Sequence, residues 1–157
     1  MYLVRKLSKF NIAGLKKVSD ILYKCGKDMA DKYDLHHWDN FHIKNHVIVA
    51  LCALKNDIYL VYTGNTPVAT FQMRKSGEKS FLFSKLATDP EFARGGIGSY
   101  CLTEIESLAK NNGCVEVVCE VYDKSEHAIK FYEHRGYTVY GMSETLKYKE
   151  WKMRKAI

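Results

Sequence analysis

From Leu15 onward the apolar residues Leu15, Val18, Leu22, Cys25 and Met29 recur at steps of three and four. That spacing follows the turn of an α-helix and predicts one buried face. A second helix is expected from Phe41 to Ala53, although HVIVALCAL (46–54) also reads as a buried strand. Upstream, YLVRKL (2–7) alternates weakly and predicts a first strand. Further on, IYLVY (58–62) and VATFQM (68–73) are β-rich and flank TGNTP (63–67). There Gly64 and Asn65 reach positive φ at low cost and Pro67 opens the next strand, so a hairpin is expected. A KSGEK turn leads into SFLFSKLAT (80–88), a strand that Pro90 ends.

The second half adds its own elements, with no internal repeat of the first. Ile97, Cys101, Leu102, Ile105, Leu108 and Ala109 share one helical face, and NNG (111–113) stops that helix with Gly113 in a left-handed cap. VEVVCEV (115–121) predicts a strand, Ser125–Arg135 a short helix ending at Gly136, and two last β-prone runs lie near Tyr137–Tyr140 and Tyr148–Lys155. The order is β-α-α-β-β-β-loop-α-β-α-β-β, a mixed α/β pattern.

Composition narrows this picture. A length of 157 residues fits one domain, expected to span 1–157. With 46% hydrophobic and 27% charged residues, the chain is globular and neither disordered nor fibrous. The formal charge of +6 favours an anionic partner, without separating nucleic acid from a phosphorylated small molecule. The basic residues are scattered, and no aromatic–basic RNA motif, zinc-finger spacing or recognition helix accompanies them, so nucleic acid is not the expected partner. The five cysteines are odd in number and form no C-x-x-C pair. With no apolar run of signal or membrane-spanning length, reduced thiols, a cytoplasmic location and no membrane contact are expected. His42 and His46 are four apart, but no H-E-x-x-H pattern or cysteine cluster joins them, so no metal is expected.

The candidate chemistry begins at EFARGGIGSY (91–100), a glycine-rich turn between a strand and a helix. A helix's first turn leaves N–H groups unpaired and carries partial positive charge, which suits a phosphate. Glycines let such an anion approach the backbone, and Arg94 adds a fixed charge. No lysine follows as in a Walker loop, and Cys101 stands where a dinucleotide fingerprint needs its third glycine.

A second segment gives the loop its context. SEHAIKFYEHRGY (125–137) resembles the N-x-x-A-x-x-F-Y-x-x-x-G-F motif of the GNAT-type N-acetyltransferases, and LATDPEFARGGIG (86–98) resembles their upstream [QR]-x-x-G-x-[GA] motif. The separation of the two motifs and the whole order of elements match as well. Three positions depart from the pattern: Ala93 stands where glutamine or arginine is usual, with Arg94 one place later, Ser125 replaces asparagine, and Tyr137 replaces phenylalanine.

The resemblance implies a GNAT acyltransferase fold: a central, mostly antiparallel twisted sheet with splayed middle strands and about four flanking helices. It implies acetyl-CoA as cosubstrate, with pantetheine on the backbone of Leu86, Ala87 and Thr88. The pyrophosphate would lie on the amides of Arg94, Gly95, Gly96, Ile97, Gly98 and Ser99, and Ser125, Ala128 and Phe131 would complete the cofactor positions. Acetyl transfer needs a neutral amine, donors for the oxyanion and a proton for the leaving thiolate. Tyr132 matches the family's general acid, since a phenol of pKa about 10 is protonated at neutral pH.

The base stays open among Glu78, Asp89, Glu116, Glu120 and Asp123 or a water relay, with Glu120 the first choice because it lies on the 115–121 strand. Trp38, in the region that borders the acceptor pocket in this family, is expected either as a substrate wall or as a core anchor. The resulting expectation is transfer of acetyl from acetyl-CoA to a primary amine of a small molecule or peptide, by direct attack in a ternary complex. A catalytically silent acyl-CoA-binding module of the same fold is the alternative. Either is expected as a monomer or homodimer.

Overall fold

The computed structural model describes residues 1–38 and 46–157. Its first strand, β1 (Tyr2–Lys6), leads into α1 (Ile12–Tyr33), which is longer at both ends than the apolar pattern predicts. Asn11 starts α1 by accepting the Gly14 N–H at 2.8 Å, and Asp34 ends it in the left-handed conformation. Next come α2 (His46–Cys52), β2 (Asp57–Thr63), β3 (Thr66–Gly77) and β4 (Ser80–Thr88). The stretch read as either helix or strand is thus helical, while positions 41–45 of the expected second helix lie outside the described residues. A single 3₁₀ turn (Pro90–Phe92) precedes α3 (Ile97–Asn111), β5 (Glu116–Tyr122), α4 (Glu126–His134), β6 (Thr138–Glu144) and β7 (Lys149–Ala156).

Hydrogen bonds link the strands in the order β1-β2-β3-β4-β5-β7-β6, a seven-stranded sheet. β1 with β2, β2 with β3, β5 with β7 and β6 with β7 are antiparallel, whereas β4 and β5 are parallel. Together with four α-helices among the described residues, this is the mixed α/β fold expected. At the β2–β3 hairpin Gly64 alone takes positive φ, and the expectation that Asn65 shares it is corrected. One left-handed residue supplies the reversal, and a bulge beside Val61 and Tyr62 absorbs the remaining twist.

The chain forms two compact units. The first comprises residues 1–74 and 85–104. Its core packs Leu15, Val18, Ile21 and Leu22 of α1 and Val49 of α2 against Ile58 and Leu60 of β2 and Ala87 of β4. Trp38 packs half-buried against this cluster, and any side chain at Gly26 would run into the Trp38 carbonyl. The second unit comprises residues 75–84 and 105–157. There Val117, Val118, Cys119 and Val121 of β5 and Met153 of β7 are buried, while Glu120 and Arg154 are exposed. The chain passes from second unit to first at Lys85, which has φ +49 in mid-strand, a conformation rare outside glycine.

Candidate active site

Within the first unit, the glycine loop is set by the residues just before it. Asp89 is buried, and its two carboxylate oxygens have separate tasks: one accepts the Glu91 N–H at 3.0 Å, the other pairs with the Lys24 ammonium at 2.9 Å. Its backbone N–H donates to the Val68 carbonyl at 2.8 Å. Asp89, considered above among the bases, is thus committed to holding the end of β4 to α1 and starting the 3₁₀ turn.

After the turn Ala93 is extended, and then the backbone crosses into the left-handed region twice, at Arg94 (φ +71) and Gly96 (φ +76). Such reversals bring successive N–H groups to one side and form a concave, anion-binding nest. Ala93–Gly96 are exposed, and the buried Ile97 anchors the start of α3 beneath them. Nothing occupies the space where a side chain at Gly96 would begin, so the backbone conformation alone makes glycine the suitable residue.

The strand positions expected for pantetheine differ among themselves. The Ala87 side chain is buried in the core cluster, and Leu86 is half-buried. The Thr88 backbone bonds the Cys25 thiol, a contact that works against the burial pushing that thiol up to about 11. Directly upstream, the Lys85 ammonium lies 3.0 Å from the Cys52 sulfur.

In the second unit the Tyr132 helix is closed by a defined cap. The Tyr137 N–H donates to the Tyr132 carbonyl at 3.0 Å and the Gly136 N–H to the Glu133 carbonyl at 2.9 Å, with Gly136 at φ +87. These are the paired bonds of a Schellman cap, in which the residue after the glycine meets the helix side chain at the first accepting carbonyl. That contact is aromatic here: the Tyr132 and Tyr137 rings are 5.7 Å apart, and Phe83 of β4 joins both at 5.7 and 6.0 Å. The spacing Y-x-x-x-G-Y is therefore a folding device that fixes the Tyr132 ring.

Sequence reasoning missed what holds this clasp from behind. The fully buried Tyr137 hydroxyl donates to Glu106 of α3 at 3.3 Å, and the Lys155 ammonium pairs with both Glu106 oxygens at 2.9 and 3.0 Å. Burial, with Glu106 beside it, pushes the Tyr137 phenol far up, so it remains a donor. The available signal was the tyrosine itself: at a position where the motif has phenylalanine, a buried hydroxyl demands a polar partner.

Ser125 sits at the N-terminal end of α4, buried, with its carbonyl accepting the Ala128 and Ile129 N–H groups. Its hydroxyl makes no capping bond to the helix. Ala128, Phe131 and Tyr132 are each half-buried, and the Phe131 ring lies 5.4 Å from that of Tyr132. Glu120 is exposed on β5, opposite Lys152 of β7 and beside Glu150 two residues along. Burial and the Glu120 charge hold the Glu150 carboxyl above its usual range. His42 lies outside the described residues; His46 starts α2, and among the described residues no three histidines, cysteines or carboxylates converge.

The fold has counterparts among known proteins. A Thermoplasma acidophilum PaiA N-acetyltransferase, solved with coenzyme A, superposes with TM-score 0.81 at 17% identity, covering 100% of this chain and 99% of its own. The ribosomal-protein-S18-alanine N-acetyltransferase of Escherichia coli gives 0.73 at 14% identity, covering 100% and 94%. A GNAT family acetyltransferase from Elizabethkingia anophelis with acetyl-CoA bound gives 0.73 at 13%, covering 99% and 98%. At such identities the likeness speaks for the fold. No curated protein sequence matches this chain. The model of the acetyltransferase (GNAT) family, however, matches residues 16–137, which take in the glycine loop, Tyr132 and its cap, and the chain accordingly belongs to the GNAT acetyltransferase family.

Proposed function

We propose that the protein transfers the acetyl group of acetyl-CoA to a primary amine of a small molecule or peptide. The observation that carries this reading is that one family match spans both the left-handed glycine loop and the capped Tyr132 helix. Neighbours of the same fold were solved with coenzyme A or acetyl-CoA, which supports the same cosubstrate here.

Acetyl-CoA supplies the activated thioester. The backbone of Arg94–Ser99 takes its pyrophosphate, and Leu86 and Ala87 offer β4 backbone to the pantetheine arm. Thr88 contributes less than the other two, because its backbone already bonds Cys25. Within a ternary complex the amine nitrogen attacks the acetyl carbon, the C–N bond forms and the C–S bond breaks. Tyr132 gives its phenolic proton to the departing sulfur and recovers it from solvent. The proton lost by the amine passes to Glu120 or to water. No metal is required in this scheme. Ser125, Ala128 and Phe131 flank the cosubstrate, and Trp38, packed on the core cluster, stands on the acceptor side.

A thiol-release screen of wild-type protein with acetyl-CoA and a library of amines tests this reading. Amine-dependent release of CoA is expected. Saturable acetyl-CoA binding with no release for any amine would instead establish the silent binding module. Acetyl-CoA at a hundred times its Kd should stabilise the fold by about 2.7 kcal/mol; no stabilisation would remove both readings.

A further inference from the structure

Tyr2 lies outside the family match, in the first strand, yet it reaches the glycine loop. Its hydroxyl donates to the Gly95 carbonyl at 3.1 Å across 93 positions of sequence. Tyr2 is itself held from α3: the Tyr100 hydroxyl donates to the Tyr2 carbonyl at 3.3 Å, and the two rings pack at 5.1 Å. Burial, with Glu104 adding to it, pushes the Tyr100 phenol up, which keeps it a donor. Pairing of Tyr2 with Thr63 of β2 fixes the strand end from the other side.

The consequence follows from peptide geometry. The described chain has no cis bonds, so the Gly95 carbonyl and the Gly96 N–H lie in one plane and point in opposite directions. A hydroxyl that captures the carbonyl turns the N–H the other way, away from β1. The residues on either side of this peptide, Arg94 and Gly96, carry the left-handed φ angles, so it sits where the loop reverses. In free solution an exposed glycine peptide would sample many orientations, and ordering it costs entropy at the moment of binding.

We propose that Tyr2 is a positioning residue for the anion cradle, its hydroxyl setting the Gly95–Gly96 peptide so that the Gly96 N–H is presented to the pyrophosphate. The inference rests on the reading of 94–99 as the pyrophosphate loop. Tyr2 touches no reacting atom; it pre-orders a donor that does the binding.

The test is Tyr2→Phe, which keeps the ring against Tyr100 and removes only the hydroxyl, titrated with two probes, CoA and phosphate-free acetylpantetheine. One lost hydrogen bond predicts a rise in the CoA Kd of about three- to tenfold, with acetylpantetheine binding unchanged. An unchanged CoA Kd would overturn the proposal. Equal weakening for both probes would also overturn it, because a general structural role does not distinguish a ligand by its phosphates. If wild-type protein binds the two probes equally well, the pyrophosphate reading of the loop falls, and the role of Tyr2 falls with it.

Discussion

The glycine loop and the Tyr132 clasp solve opposite problems. In the proposed function the loop offers bare backbone to an anion, and it is exposed, carries two left-handed residues and is steadied by two tethers, Asp89 before it and Tyr2 beside it. In the proposed reaction the clasp aims one phenol, and its ring is surrounded by Phe83, Phe131 and Tyr137, the last of these braced on a paired Glu106. Binding by backbone asks for conformation, and chemistry by a side chain asks for packing. Mutations in the two regions should therefore fail differently, the first in affinity and the second in stability or turnover.

Tyr137→Ala is the strongest way to break the clasp. Removing a fully buried aromatic side chain should cost about 3–5 kcal/mol of stability, read by denaturant unfolding, with turnover falling beyond the fraction unfolded. Stability within 1 kcal/mol of wild type would mean that Tyr137 does not organise this unit. Glu106→Gln sharpens the same point more gently. It keeps the acceptor for Tyr137 but leaves the mostly buried Lys155 ammonium without its charge partner, a loss of about 1–3 kcal/mol.

The smallest effect concerns Glu150 and pH. Its folded carboxyl is raised, so its favourable contribution is complete below the unfolded pKa and is lost as pH rises through the folded one. Glu150→Gln resembles the protonated form at every pH. Its melting temperature should exceed that of wild type at pH 8 and converge with it near pH 4; a constant difference would contradict the Glu120–Glu150 coupling.

The element order was legible because each element carries its own periodicity, and the two motifs were legible because each is contiguous. Other features had no local signal. Lys85 and Arg94 adopt positive φ although neither side chain favours it, and only the surrounding structure imposes that. Asn65, which does favour it, stays out of that region because Gly64 already makes the turn. Tyr137, Glu106 and Lys155 meet across separations of 31 and 49 residues, and Tyr2 meets Gly95 across 93, distances that no periodicity spans. The early end of α1 was within reach, because Asn11 precedes the first apolar step in the manner of an N-cap.

Steady-state kinetics of Gly96→Val and Tyr132→Phe, measured side by side with the best acceptor from the amine screen, test the division of labour most directly. Gly96→Val, forcing a β-branched residue into φ +76, should raise the KM for acetyl-CoA at least about tenfold with kcat little changed. Tyr132→Phe should lower kcat by about a hundredfold or more with that KM preserved. Full activity in Tyr132→Phe, or a loss of kcat rather than affinity in Gly96→Val, would contradict that division.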